Sequence, residues 1–242
     1  MTTPVKGLCA LITGASVGIG YAIAERFASL GINIAVCARS EDRLEALRKR
    51  LAQYNVRIFT MAGDLSDKDF SVSFVEKAYA ELGDIDIVVN NAGMALSRSF
   101  EESTIEDYER IMGLNVRAPF LICKSAIPFL RRSANATIIN IASVTAHKGY
   151  PQQSLYSASK HALAGMTKSL ANELYSEDIR VHLISPGGVY TEMVKISRPD
   201  LSPEGLILPE DIADIAEFFI THRTNSVIDE IETHRQNKAP FA

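Results

Sequence analysis

Short apolar runs alternate with longer amphipathic stretches along almost the whole chain. The apolar runs are rich in β-branched residues, and turn-forming residues bound them, which predicts strands. The longer stretches repeat their apolar positions every three to four residues, which predicts helices. Strands are predicted at 8–13, 32–38, 56–62, 85–90, 137–141, 181–185 and 227–232, and helices at 18–30, 41–54, 67–82, 104–130, 154–175 and 209–221.

This alternation predicts an α/β fold with a mostly parallel sheet and helices on both of its faces. The second run, Ile34-Ala35-Val36-Cys37-Ala38, is apolar without interruption, as expected of a strand buried on both sides. The stretch 189–208 is irregular and follows a strand. It is either a plain surface loop or a loop that covers substrate at the carboxyl end of the sheet.

Length and composition place the chain among ordinary globular proteins. With 242 residues, 47% hydrophobic and 22% charged, it fits one large domain, 1–242. No apolar run approaches the roughly 20 residues of a membrane span, and no targeting segment is evident, so a cytoplasmic protein is expected. A net charge of -4 without a basic run argues against nucleic acid as the main partner. Cys9, Cys37 and Cys123 are expected to be reduced and buried.

The first predicted strand ends in a glycine-rich turn that leads directly into a helix. Residues 13–20 read Thr-Gly-Ala-Ser-Val-Gly-Ile-Gly. Glycines permit a tight turn and let backbone N–H groups approach a pyrophosphate at the helix N-terminus. The spacing differs from Gly-x-Gly-x-x-Gly, so a plain strand-to-helix loop is the alternative. The cofactor-binding candidates here are Gly14, Ser16, Gly18, Ile19 and Gly20.

The residues after the second predicted strand bear on the choice of cofactor. Enzymes that prefer NAD usually carry an acid there for the ribose 2′-OH, whereas an arginine accommodates a 2′-phosphate. This chain has Arg39 and Ser40, with no acid until Glu41. A guanidinium can fork onto a phosphate and a hydroxyl can assist, which predicts NADP(H). The alternative is that Arg39 only pairs with Glu41 or Asp42.

The third and fourth predicted strands end in further candidates. Asp64 and Leu65 are placed to meet an adenine through side chain and backbone, although Asp64 fits a helix-entry residue equally well. Asn91, Ala92 and Gly93 are small enough for the backbone to pass close to a ribose. As an isolated turn, this stretch would be unremarkable.

Tyr156 and Lys160 place a phenol and an ammonium one helical turn apart, on one face of a predicted helix. A free phenol has a pKa of about 10 and exchanges protons poorly near neutral pH unless a positive charge stabilises its phenolate. Lys160 is placed to supply that charge. The alternative is a surface tyrosine packed on a lysine stem.

The motifs occur in one order along the chain: Thr-Gly-x-x-x-Gly-x-Gly at 13–20, Asn-Asn-Ala-Gly at 90–93, Asn115, Ser143, Tyr156-x-x-x-Lys160 and Pro186-Gly187. In this order they resemble the short-chain dehydrogenase/reductase family over residues 7–220. The resemblance implies a Rossmann-type, doubly wound, seven-stranded and mostly parallel sheet in a single domain.

The resemblance also implies roles for individual residues. Tyr156 would act as the general acid that protonates a carbonyl oxygen as hydride arrives from NADPH, and as the base in reverse. Ser143 would orient that oxygen. Lys160 would lower the pKa of Tyr156 and bind the nicotinamide ribose, and Asn115 would hold a water that links Lys160 to solvent. Taken alone, Ser143 would be a cap and Asn115 a helix-surface residue.

The implied function is NADP(H)-dependent reduction of a ketone or aldehyde, reversible as alcohol oxidation. Two alternatives are a 3-oxoacyl thioester reductase and a non-catalytic NADP(H)-sensing or scaffold protein. The C-terminal stretch 228–236 lacks the Gly-Gly ending common among 3-oxoacyl carrier-protein reductases, which weakens the first alternative. The segment beside the nicotinamide would comprise Pro186, Gly187, Val189 and Thr191.

Three further expectations concern substrate, assembly and metals. A homo-oligomer is expected from the resemblance, with contact faces on the helices that begin near 104 and 154. No metal is implied, and the histidines, which show neither ligand spacing nor a paired acid in a sequence pattern, are expected to be structural or exposed. These histidines are His147, His161, His182, His222 and His234. The candidate substrate-pocket residues are Met94, Tyr150, Gln153, Tyr190 and Met193.

Overall fold

A single sheet of seven strands, all parallel, has the order β3-β2-β1-β4-β5-β6-β7. The computed structural model describes residues 3–197, 202 and 204–239. The strands are β1 (Cys9–Thr13), β2 (Asn33–Ala38), β3 (Ile58–Ala62), β4 (Ile87–Asn90), β5 (Thr137–Ile141), β6 (Arg180–Pro186) and β7 (Glu230–Thr233). Each predicted run contains or overlaps one of them, and the predicted doubly wound α/β fold is confirmed.

Successive side chains of the central strands point to opposite faces of the sheet and fill two apolar layers. Ile12 and Val36 are fully buried on one face of the sheet, and their neighbours Leu11 and Ala35 are fully buried on the other. Because both faces are covered, nearly every position in these strands is apolar. The three cysteines are free and buried, as predicted.

Helices cover both faces of the sheet. They are α1 (Gly18–Ser29), α2 (Glu41–Leu51), α3 (Lys68–Leu82), α4 (Ile105–Met112), α5 (Ala118–Leu130), α6 (Ser154–Leu174), α7 (Glu192–Ser197) and α8 (Pro209–Thr221). Leucines of α2 pack with α1 and α8 in one layer, and Phe74 of α3 packs with Ile122 of α5 in the other. Among the described residues, no helix is both long and apolar enough to cross a bilayer.

The prediction of one helix over 104–130 is wrong in its middle. A π-helical turn, Gly113–Arg117, separates α4 from α5. Pro119 stands in the first turn of α5, where its missing N–H costs nothing, so the helix restarts there. Such wide turns often occur at functional sites, and this one carries Asn115.

The stretch 189–208 is more ordered than a plain loop. Its ends are joined, since Tyr190 N donates to Ile207 O over 2.7 Å and Ile207 N donates to Gly188 O over 3.1 Å. The sequence pattern missed α7, which lies between them. Residues 198–201 and 203 of this stretch lie outside the described residues.

Candidate active site

The carboxyl ends of the parallel strands frame a cavity of about 570 Å³. Most of the predicted site residues line it: Gly14, Ser16, Gly18, Ile19, Arg39, Asp64, Leu65, Asn91, Ala92, Gly93, Tyr156, Lys160, Pro186, Gly187, Val189 and Thr191. Four predicted residues lie outside this lining, namely Gly20, Ser40, Asn115 and Ser143. Their places in the structure are given below.

Close packing within the protein accounts for two of the glycines in the turn. Gly14 has a φ of +67°, and a Cβ there would lie 2.8 Å from Ala92 Cα. A Cβ on Gly20 would lie 2.4 Å from Asn91 Nδ2. Gly20 was predicted to contact cofactor, but it is buried and acts by letting α1 approach the strand ends.

Thr13 and Asn91 hold the glycine turn against the end of β4. The Thr13 hydroxyl accepts hydrogen bonds from the backbone N–H groups of Asn91 and Ala92, each at 3.0 Å. In return, Asn91 Nδ2 donates to the carbonyl oxygens of Thr13 and Gly14, each at 3.0 Å. Thr13 was not assigned to the site from the sequence, although it stands directly before the first glycine.

The N-terminus of α1 is prepared for an anion. In the described structure its N-cap residue, Val17, makes no side-chain capping bond, and the first turn holds no acid. By contrast, α2, α3 and α4 are capped by Ser40, Asp67 and Thr104. Free N–H groups and the helix dipole favour a negative group at this position. The residues therefore fit the pyrophosphate of a dinucleotide.

The far end of the cavity carries Arg39 and Asp64. Among the described residues, Arg39 forms no ion pair with Glu41 or Asp42, which argues against the alternative that it only pairs with them. Asp64 Oδ1 accepts hydrogen bonds from the Ser66 N–H and hydroxyl, each at 2.8 Å. These surroundings lower the pKa of Asp64. The hydrogen bond from the Ser66 N–H is the main cause, and the positive charge of Arg39 adds to it. Asp64 is thus both a turn residue before α3 and part of the cavity wall.

Ser40 has a structural role in addition to the predicted one. Its Oγ accepts a hydrogen bond from Arg43 N over 3.4 Å and so caps α2. Because Oγ acts as the acceptor in this bond, the hydroxyl hydrogen of Ser40 stays available as a donor.

Tyr156 and Lys160 lie together at the other end of the cavity, as the spacing predicted. Lys160 Nζ is 5.9 Å from the centre of the Tyr156 ring and donates to Ile141 O over 2.8 Å. Burial lowers the pKa of Lys160 to about 8. Burial also raises the pKa of Tyr156, while the hydroxyl of Ser143 acts in the opposite direction. The net effect of these surroundings is a raised pKa of Tyr156, because desolvation of the phenol dominates.

Ser143 starts the short turn Val144–Ala146 after β5, and its side chain accepts a hydrogen bond from Thr145 N over 3.2 Å. Ser143 therefore is a cap, as expected from the residue taken alone. It also lies beside the phenol of Tyr156. The hydroxyl hydrogen remains free to point at Tyr156 or at a substrate oxygen.

Asn115 is buried outside the cavity lining, with 1% of its surface exposed. Its Oδ1 accepts from Met94 N and its Nδ2 donates to Met94 O, both at 2.9 Å, and Nδ2 also donates to Ser159 Oγ over 3.0 Å. The reading as a helix-surface residue is wrong, because the π-helical turn directs this side chain inward. Asn115 thus connects the segment after β4 with the helix that carries Tyr156 and Lys160.

Several lining residues were not predicted from the sequence. Arg110 and Leu114 stand one turn apart on consecutive helical segments and both face the cavity. Glu192 and Val194 reach it from α7. Of the predicted substrate-pocket residues, Met94 and Met193 line the cavity, whereas Tyr150, Gln153 and Tyr190 do not.

The structure gives one histidine an acidic partner that the sequence pattern does not show. His147 does have a paired acid, because its Nε2 is 2.5 Å from Glu230 Oε1, 83 residues away in the chain. The described residues contain no group of three or more His, Cys, Asp or Glu side chains suited to a metal ion.

Comparison with known proteins settles the family. The model of the short chain dehydrogenase family matches residues 8–202. The chain belongs to this family. Members are enzymes, and an uncharacterized oxidoreductase of Staphylococcus saprophyticus is 32% identical over 92% of this chain and 94% of its own length. A 3-oxoacyl-(acyl-carrier-protein) reductase of Thermotoga maritima is 30% identical over 93% of this chain and 95% of its own length.

Solved structures agree in fold. A blue fluorescent protein from a metagenomic library, in complex with NADPH, has a TM-score of 0.87 and 33% identity over 95% of this chain and 97% of that one. A short chain dehydrogenase from Mycobacterium paratuberculosis, bound to NAD, has a TM-score of 0.86 and 29% identity over 95% and 97%. This protein is therefore an oxidoreductase of the short-chain dehydrogenase family with a site for a nicotinamide dinucleotide.

Proposed function

We propose that this protein is an NADP(H)-dependent reductase of ketones or aldehydes, reversible as an alcohol dehydrogenase. The observation that carries the proposal is the shared cavity wall of Tyr156 and Lys160, with the Ser143 hydroxyl close enough to affect the phenol. The glycine turn and the uncapped N-terminus of α1 stand at the other side of the same cavity.

Each catalytic side chain has a task that its environment supports. A nicotinamide dinucleotide, when bound, would supply the hydride. Tyr156, with its raised pKa, stays protonated at neutral pH and donates the phenolic proton to the carbonyl oxygen. Ser143 donates a hydrogen bond to that oxygen and orients it. Lys160, tied to Ile141 O by one N–H, keeps two N–H donors for the ribose hydroxyls.

Asn115 supports the proposed proton route through Lys160 to Tyr156 without lining the cavity. Its side-chain amide is fully engaged by Met94 and Ser159, so it fixes the wall rather than reaching the substrate. A Cβ on Gly93 would lie 3.3 Å from Asn115 Oδ1 and 3.6 Å from Lys160 Nζ, which shows how closely these groups surround Gly93. We infer that this enclosure positions Lys160 for proton resupply to Tyr156.

The preference for NADP(H) is supported by the charge at the adenosine end. Arg39 is exposed and lines the cavity, and in the described part of the chain it forms no ion pair with the acids at the start of α2. A 2′-phosphate there would gain a charge-assisted, forked hydrogen bond. The relatives bind NADPH in one case and NAD in another, so Arg39 carries this part of the proposal.

Arg39→Ala should weaken NADPH binding by about 10- to 100-fold, because a hydrogen bond between two charged groups is lost. NADH binding should change little. Fluorescence titration of both cofactors measures the two dissociation constants. Arg48→Ala is the matched control, since Arg48 is held by Glu45 on the surface of α2. Equal affinities for NADPH and NADH that Arg39→Ala leaves unchanged would contradict the assignment.

The reaction itself is tested by cofactor oxidation against a panel of carbonyl compounds. We expect NADPH oxidation with at least one simple ketone or aldehyde, and slower oxidation of NADH. The Thermotoga maritima relative supports a second candidate, reduction of 3-oxoacyl thioesters, and turnover confined to thioesters would favour it. Tight NADPH binding without turnover of any compound would favour a non-catalytic sensing or scaffold protein.

Homo-oligomerisation stays a prediction from the family resemblance. Ile105 on α4 and Phe120 on α5 are 65% and 48% exposed, which agrees with an apolar contact face near the expected helices.

A further inference from the structure

A hydrogen-bonded cluster lies beside the active site, outside the cavity lining. It consists of His147, Ser185, Glu230 and Lys168, and we call it the Glu230 cluster. His147 Nε2 is 2.5 Å from Glu230 Oε1 and 3.3 Å from Ser185 Oγ. Ser185 Oγ donates to Glu230 Oε1 over 2.9 Å, and Lys168 Nζ is 3.7 Å from Glu230 Oε2.

The donors in this cluster converge on one carboxylate. Both partners of His147 Nε2 offer oxygen atoms, so the ring donates from this nitrogen. Ser185 is fully buried, and the side chains of His147 and Glu230 are only 26% and 25% exposed. The bonds are thus partly shielded from water, where hydrogen bonds to a charged group are stronger than on an open surface.

Three members of the cluster lie on segments that adjoin the active site, and the fourth, Lys168, lies on α6. His147 closes the turn that starts at Ser143, and its N–H donates to Val144 O over 3.1 Å. Ser185 directly precedes Pro186 and Gly187 in the wall of the cavity. Glu230 opens β7, which among the described residues is an edge strand that pairs with β6 alone.

We propose that His147 and Glu230 are positioning residues of this reductase, which hold the Ser143 turn at a set distance from the Pro186–Gly187 turn. In the proposed reaction, Ser143 orients the carbonyl oxygen and the Pro186–Gly187 turn flanks the nicotinamide. The cluster links these two turns by hydrogen bonds that lie outside the cavity lining. Its effect on turnover is therefore indirect, through the placement of Ser143.

This inference rests on the proposed carbonyl reduction, and its kinetic test uses a carbonyl compound that the wild-type protein reduces. His147→Ala and Glu230→Ala should each lower kcat by about 10- to 100-fold, because small misplacements of reacting groups are costly. The NADPH dissociation constant and the KM for the carbonyl compound should stay within about twofold, since neither residue lines the cavity. A general loss of folding would instead change all of these quantities together.

A conservative variant separates positioning from simple packing. Glutamine places an N–H donor close to the position of His Nε2, so His147→Gln should recover most of the lost kcat. His222→Ala is the control, because His222 is exposed at the end of α8. The inference is overturned if His147→Ala and Glu230→Ala keep kcat within about twofold of wild type, or if His147→Gln is as slow as His147→Ala.

Hydrogen exchange tests the same inference without any substrate. Glu230→Ala should speed exchange at the amides of Ala146, His147 and Gly187, while the amides of β1 remain as protected as in the wild type. If the wild-type protein reduces no carbonyl compound, the proposed function fails, and this measurement still decides the positioning role. Unchanged exchange at these three amides would overturn it.

Discussion

Tyr156→Phe should lower kcat for carbonyl reduction by about 10²- to 10⁴-fold, the range typical of a lost general acid. The substitution removes only the phenolic oxygen, and the ring keeps its place on α6 against Lys160. Burial raises the pKa of Tyr156, so the wild-type phenol carries its proton throughout the neutral range. The NADPH dissociation constant should change little, because most of the residues proposed to hold the dinucleotide lie elsewhere in the cavity.

Steady-state kinetics and a cofactor titration on the same preparation check this expectation. Tyr175→Phe is the matched control, since Tyr175 directly follows α6 and is 76% exposed. If Tyr156→Phe retains more than about a tenth of the wild-type kcat, the proton donor is another group.

Lys160→Met should make the fold more stable while it removes most of the turnover. Lys160 is 4% exposed, and burial lowers its pKa from 10.5 to about 8. The charged lysine therefore weakens the folded state at pH 7 by about 3 kcal/mol, and its bond to Ile141 O is worth about 1 kcal/mol. Methionine has a similar length and no charge, so we expect the free energy of unfolding at pH 7 to rise by about 1–3 kcal/mol.

The pH dependence of that difference follows from the direction of the shift. The folded-state pKa lies below the unfolded one, so between the two values the unfolded chain binds the additional proton. The wild type consequently recovers stability as the pH rises from about 8 toward 10.5, and the gain from Lys160→Met shrinks over the same interval. Chemical denaturation of both proteins across this range measures it.

Lys77→Met serves as the control for Lys160→Met, because Lys77 is exposed on α3 and its charge remains in water. A Lys160→Met protein less stable than wild type at pH 7 would show that the ammonium is well satisfied where it lies. Turnover in Lys160→Met within about tenfold of wild type would contradict the role of Lys160 in the reaction.

Local patterns in the sequence were sufficient where one element carries the whole feature. Tyr156 and Lys160 share a face because they stand one helical turn apart, and the structure confirms their proximity. The glycine turn likewise follows directly from a strand and opens α1. Such features depend on neighbouring residues, whose geometry the backbone restricts to a few conformations.

Contacts between distant segments could not be obtained in this way. The pairing of His147 with Glu230 joins the turn after β5 to the start of β7, 83 residues away in the chain, and no periodicity signals it. The inward direction of Asn115 depends on the π-helical turn, which resembles a continuous helix in the sequence. The pKa of Tyr156 depends on how much of the cavity wall excludes water, which is a property of packing.

The order of motifs along the chain was enough to predict the doubly wound sheet, the dinucleotide turn and the pair of Tyr156 and Lys160. These depend on hydrophobic periodicity and on short spacings, which act within a few residues. The folded chain added the environment of each group: Lys160 is dehydrated, Asn115 is turned inward, and Glu230 links the turn after β5 to β6. Desolvation and long-range hydrogen bonds arise only when remote segments pack, because a residue's neighbours in space are not its neighbours in sequence.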